Sequence, residues 1–122
     1  MTQEDKKLLI TDLCARLPYG VKAESVFINP DTKEHKSCGI EVFDATSILM
    51  IRDGLGEFKP YLFPLSSMTD EQEEEYKKLN CYELGCFPHL EEALDYLIEN
   101  HFDYRGLIDK GLALDATGKN IY

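Results

Sequence analysis

The chain has 122 residues, 43% of them hydrophobic and 30% charged, with 23 acidic against 13 basic side chains and a formal net charge of −10. That supplies enough apolar material for one core and enough charge to keep it in water, and no apolar run approaches the roughly 18 residues that span a bilayer. The excess of carboxylates argues against the common mode of nucleic-acid binding, in which Lys and Arg neutralise phosphates.

The first helix is expected from Thr2, whose hydroxyl can cap it with Asp5 at the third position; Leu9, Ile10, Leu13, Cys14 and Leu17 then form an apolar stripe at helical spacing. Leu17-Pro18-Tyr19-Gly20 ends it, because a residue before proline is pushed out of the helical region. From Val21 to Leu65 the period becomes extended. Ser25 to Asn29 is expected as a strand and Asn29-Pro30-Asp31-Thr32 as a hairpin turn. Gly39 to Ala45 follows as a strand with Ile40 and Val42 inward and Phe43 on the wet side. Ile48-Leu49-Met50-Ile51 is unbroken apolar and is read as a central strand covered on both faces. Asp53-Gly54-Leu55-Gly56 would be the next hairpin turn, and Lys59 to Leu65 a strand that lies at an edge or is short, since Pro60 and Pro64 cannot donate to a ladder.

Thr69 with Gln72 should start a helix running to about Leu79, in which Glu73 with Lys77 and Glu74 with Lys78 stand at the favourable four-residue spacing. A second helix from about Pro88 to His101 carries Leu90, Leu94, Leu97, Ile98 and His101 on one stripe. The charge is uneven along the chain: Thr69 to Asp103 holds eleven acidic residues against Lys77 and Lys78, and the remainder is nearly balanced. One electronegative side is therefore expected, built from Asp70, Glu71, Glu73, Glu74, Glu75, Glu91, Glu92, Asp95 and Glu99.

Cys81, Cys86, His89 and His101 are donors of the type zinc takes, but their spacing is not that of a zinc knuckle, so no metal or other cofactor is expected. The four cysteines, Cys14, Cys38, Cys81 and Cys86, read as reduced thiols of a cytoplasmic protein, with Cys14 and Cys38 as core cysteines, in keeping with an N-terminus that has no apolar leader. Lys33, His35 and Lys36 make only a small basic patch at a hairpin tip. There is no nucleophile elbow, phosphate loop, dinucleotide fingerprint or metalloprotease helix. The densest chemical string is His101-Phe102-Asp103-Tyr104-Arg105, where Asp103 and His101 could exchange a proton and Tyr104 and Arg105 bind an anion. The stronger reading takes His101 as a satisfied core histidine continuing its helix stripe, Arg105 as paired with an acid or a helix-end carbonyl, and Gly106 and Gly111 as a chain reversal.

Leu17-Pro18-Tyr19-Gly20-Val21-Lys22, Tyr61-Leu62-Phe63-Pro64-Leu65-Ser66-Ser67-Met68-Thr69 and His101 to Ile108 with Gly111-Leu112-Ala113-Leu114 together resemble a family of short bacterial proteins of unknown function, often associated with prophages and other mobile elements. The resemblance implies no activity, cofactor or catalytic residue, and the chain departs from it around Phe27 to Lys36 and Cys81 to His89.

The expectation is thus one α+β domain over residues 1–122: an N-terminal helix, an antiparallel sheet of three to four strands from about 21 to 65, then two or three C-terminal helices packing on the sheet. Functionally it is expected to be a non-catalytic protein-interaction accessory that meets a protein partner through its acidic face, with no membrane and no direct phosphate contact. A homodimer through an open sheet face is a side expectation. The alternatives are a small enzyme or ligand-binding domain centred on His101, Asp103, Tyr104 and Arg105, and a DNA mimic that occupies a nuclease.

Overall fold

The computed structural model describes residues 2–79 and 90–122, without the side chains of Leu90 and Glu91. Helix α1 (Gln3–Arg16) opens on the expected capping box: the Asp5 amide donates to Thr2 Oγ1 at 3.0 Å and the Thr2 amide to Asp5 Oδ2 at 3.3 Å. It ends in a 3-10 turn over Leu17–Tyr19, and Gly20 at φ 65° reverses the chain into the sheet.

Strands β1 (Lys22–Ile28) and β2 (His35–Val42) form the expected hairpin. Its turn is organised by Asn29, whose Oδ1 accepts from the amides of Asp31 at 2.9 Å and Thr32 at 3.2 Å. Burial around β2 differs from expectation: all eight residues of the strand are exposed, and the residue that follows it is the one that reaches the core. Phe43 is 2% exposed and meets Phe58 edge-on with ring centroids 5.6 Å apart, whereas Ile40 and Val42 are 50% and 55% exposed. Register explains the reversal: Glu41 lies opposite the buried Ala23 and Gly39 opposite the buried Ser25, so Ile40 and Val42 must face the other way. The single aromatic at the strand's end outweighs the two aliphatics within it.

The expected central strand at Ile48 to Ile51 is instead helix α2 (Ala45–Arg52). Asp44 and Ser47 form a reciprocal cap, with the Ser47 amide donating to Asp44 Oδ1 at 3.0 Å, and a four-residue apolar run cannot by itself distinguish helix from strand. Ile51 reaches the core and Leu49 stays exposed. Asp53-Gly54-Leu55-Gly56 is correspondingly a helix stop rather than a hairpin turn. The Leu55 amide donates to Met50 O at 2.9 Å and the Gly54 amide to Ile51 O at 3.2 Å, with Gly54 at φ 72°.

Strand β3 (Gly56–Pro64) is central rather than an edge, lying between β1 and β4 in the order β2-β1-β3-β4. Pro60 is tolerated there because Ile28 N donates to Leu55 O, which makes the odd-numbered residues of β3 the ones that bond to β1. After a 3-10 turn (Leu65–Ser67) come α3 (Asp70–Leu79) and α4 (Leu90–Glu99), then the two-residue strands β4 (Phe102–Asp103) and β5 (Leu114–Asp115). Both pair with β3 in parallel, so the five-stranded sheet is mixed and not antiparallel throughout. The α+β class stands, with the helices distributed differently: α2 interrupts the sheet region and α3 begins where Thr69 and Gln72 cap each other reciprocally.

The core joins Leu9 and Leu13 of α1, Val21, Ala23, Phe43 and Phe58 of the sheet region, Ile51 of α2, and Leu107, Leu112 and Ala113 of the C-terminal segment. Helix α4 contributes Ala93, Leu97 and Ile98, while Leu94, expected on the same stripe, is 40% exposed. No helix among the described residues is long and apolar enough to cross a membrane.

Candidate functional site

The string His101 to Arg105 is divided by the fold among three different environments. Asp103, in β4, is buried and accepts from the amides of Leu107 and Ile108, each at 2.9 Å. Both carboxylate oxygens are thereby turned to shaping the reversal that carries Leu107 into the core.

Arg105 turns the other way, toward α1. Its Nε lies 3.2 Å from Asp12 Oδ1 and donates to Tyr104 Oη at 3.0 Å, and its guanidinium sits 4.9 Å from the centre of the Tyr104 ring. Asp12 and Arg16 are both fully buried, with Arg16 Nε donating to Asp12 Oδ2 at 2.7 Å and Arg16 Nη2 to Phe102 O at 2.7 Å. One carboxylate thus faces two guanidiniums. The Tyr104 ring offers its electron-rich face to the surplus positive charge, with the Arg16 guanidinium 5.6 Å from its centre. This junction ties the end of α1 to a strand 86 positions later in the chain. It was missed at the level of sequence, although Asp12 and Arg16 occupy the same helical face as Leu9 and Leu13, which is the signal that marks buried charge.

His101 belongs to a third environment. It does not continue the α4 stripe but follows the helix in the left-handed region at φ 62°, a conformation uncommon for a residue with a β-carbon. Its amide donates to Ile98 O at 3.1 Å, and its carbonyl accepts from Phe63 N at 2.8 Å. The imidazole stacks on Tyr122 with ring centres 3.7 Å apart and planes 9° from parallel. Burial, reinforced by the positive charges of Arg16 and Lys22, pushes its pKa down to about 4, so the ring is neutral near pH 7. Nδ1 is buried without a hydrogen-bond partner among the described residues, as is Nη1 of Arg16.

Tyr122 is a second feature that sequence reasoning missed. Its hydroxyl accepts from Lys22 N at 2.8 Å and donates to Tyr61 O at 2.8 Å, splicing β1 to β3 where their direct ladder has ended. Lys22 Nζ donates to Ile121 O at 2.8 Å, and burial is the main reason the phenol's pKa is pushed up to about 12. Beside these two stacked rings lies a cavity of about 480 Å³, with Phe63 and Phe102 as apolar walls and Gln72, Glu99 and Asn100 among its polar ones.

The acidic residues are placed elsewhere. Helix α3 buries none of its residues, and Asp70, Glu71, Glu73, Glu74 and Glu75 are all exposed. It lies against α4, where Glu92, Asp95 and Glu99 are also exposed. Burial and the charge of Glu75 together raise the pKa of the Tyr96 phenol on α4. The side chain of Glu91 and the residues Cys81, Tyr82, Cys86 and His89 lie outside the described residues. Cys14 and Cys38 are exposed free thiols rather than core cysteines, and no group of three metal-ligating side chains stands together among the described residues.

No family model, no curated protein and no solved structure matches the chain.

Proposed function

We propose that the chain is a non-catalytic protein-interaction protein that docks a cationic partner protein on the acidic side of α3 and α4. The single observation carrying this reading is the contrast between an α3 that buries nothing and keeps five carboxylates in water, and a chemical string whose Asp103 and Arg105 are already bonded within the fold. Lys77 and Lys78 stand in the last turn of α3, so its first turns are almost wholly negative. Such a surface steers a positively charged protein and repels a phosphate backbone. A DNA-mimic role is the special case in which that partner is itself a nucleic-acid-binding protein, and accessory work for a mobile element is the setting that the family resemblance suggests.

The experiment is a pull-down from the cell that encodes the chain, comparing the native protein with a Glu73→Lys, Glu74→Lys, Glu75→Lys variant. The reading expects one partner retained by the native protein, released progressively as salt rises, and lost by the variant. Equal retention by both proteins, or no partner at all, would overturn it.

A second reading is favoured by the cavity beside His101: a small-ligand site in which a neutral imidazole and the Tyr122 ring meet a polar molecule between aromatic walls. It keeps His101 from the sequence-predicted cluster and gives Tyr104, Asp103 and Arg105 structural work. Screening hydroxylated and amide-bearing small molecules by chemical-shift changes tests it. Shifts confined to His101, Asn100 and Tyr122 would support it, and none at saturating ligand would remove it.

A further inference from the structure

We infer that β2 is the self-pairing edge of a two-fold dimer, in which two copies join their sheets antiparallel with Lys36 of each opposite Glu41 of the other. This does not rest on the acidic side of α3 and α4, which β2 does not include.

Among the described residues strand β2 lies at the end of the sheet order, is exposed along all eight of its own and has a strand on one side only. Its pairing with β1 changes register between Ser25 and Val26, so that Cys38 is an extra residue next to Gly39 at φ 81°. The phase on either side of this bulge is fixed by two main-chain bonds, Phe43 N to Val21 O at 2.8 Å and Asn29 N to Glu34 O at 2.9 Å. Antiparallel ladders alternate bonded and non-bonded pairs. Counting inward from those two bonds, Glu41, Gly39 and Lys36 turn their main-chain groups to β1, and His35, Ser37, Ile40 and Val42 turn theirs to solvent.

These four outward residues are symmetric about the Cys38–Gly39 bond. A second copy rotated by 180° about an axis through that bond places His35 opposite Val42 and Ser37 opposite Ile40, so every outward amide and carbonyl meets a counterpart. The bulge is what permits this. In a regular strand, residues five apart such as Lys36 and Glu41 point to opposite faces. Here Lys36 lies opposite Phe27 and Glu41 opposite Ala23, two residues on one face of the regular β1, so the extra residue returns both side chains to the same side. Facing across the dyad they make two identical ion pairs, and the other face brings the exposed Ile40 and Val42 over the seam. A bulge that usually protects an edge here leaves it complementary to itself.

Sedimentation equilibrium of the full chain under reducing conditions tests the pairing. The native protein is expected to dimerise at micromolar to millimolar concentration, with Glu41→Lys weakening the dimer about tenfold or more by setting lysine against lysine. The double exchange Lys36→Glu with Glu41→Lys should restore it to within about threefold of the native value. In a background carrying Cys14→Ser, Cys81→Ser and Cys86→Ser, a short bismaleimide should join two copies through Cys38, next to the axis. A monomer at every concentration, a dimer indifferent to Glu41→Lys, a double exchange that does not restore it, or a dimer that is not joined through Cys38 in that background would each overturn the inference. The partner pull-down on α3 would be unaffected by any of these results.

Discussion

The two charged regions of the molecule hold their ions in opposite ways. At the junction of α1 with β4, one carboxylate and two guanidiniums share buried or half-buried space, and each is fixed by at least one hydrogen bond or ion pair. On α3 the carboxylates stand in water, and the helix opens on the reciprocal cap of Thr69 with Gln72. Desolvation accounts for the difference: a buried charge survives folding only with a partner, whereas an exposed one needs none and adds little to stability. The lesson is that chemical-looking residues near one another in sequence can be structural, while a plain run of glutamates can be the surface left free for recognition.

The largest test of that contrast is Arg16→Met. It strips Asp12 of its closest partner and Phe102 O of its donor, and the expected loss is about 3–5 kcal/mol in denaturant unfolding. Combining it with Asp12→Leu should recover a large part of that loss, because the stranded carboxylate is removed as well. Failure of the single change to destabilise beyond the surface variant Glu73→Lys would break the comparison.

Next in size is Tyr122→Phe, which keeps the ring stacked on His101 but leaves Lys22 N and Tyr61 O without their bridge. A loss of about 1–3 kcal/mol is expected, together with faster amide exchange at Lys22.

The smallest effect is read against pH. The folded value for His101, about 4, lies below the ordinary 6.5, so between those limits the unfolded chain binds the proton and the folded one does not. This contribution is fully present above about pH 6.5 and is lost as pH falls toward 4. Because the ring is only half-buried, solvent screening leaves a contribution of about 1–2 kcal/mol. His101→Asn, which tolerates the left-handed backbone, should flatten the melting-temperature profile between pH 6.5 and 4 relative to the native protein. An unchanged profile would place the acid sensitivity elsewhere.

Local chemistry made much of the fold legible before any coordinates. Thr2 with Asp5, Asn29 in its turn, and Thr69 with Gln72 act within three residues of themselves, and each appears as the spacing implies. The α2 segment was misread because four apolar residues satisfy both periods, and the deciding signal was the cap pair Asp44 and Ser47 just before them. Pro60 suggested an edge because the phase of β3 against β1 cannot be known from β3 alone. The candidate site divided similarly. His101 remains beside a cavity, but Asp103 and Arg105 find their partners in Leu107, Ile108 and Asp12 only once the chain has closed.

Residue pattern was enough for the Thr2 and Thr69 caps, the Asn29 turn, the α+β composition and the strong negative bias of residues 69–103, because each depends on neighbours a few positions apart or on charge alone. Tertiary structure alone decided that Arg16 and Asp12 are buried together, that Tyr122 splices β1 to β3, and that Phe43 rather than Ile40 or Val42 reaches the core. These depend on register and on contacts up to 100 positions apart, where a shift of one residue exchanges the two faces of a strand.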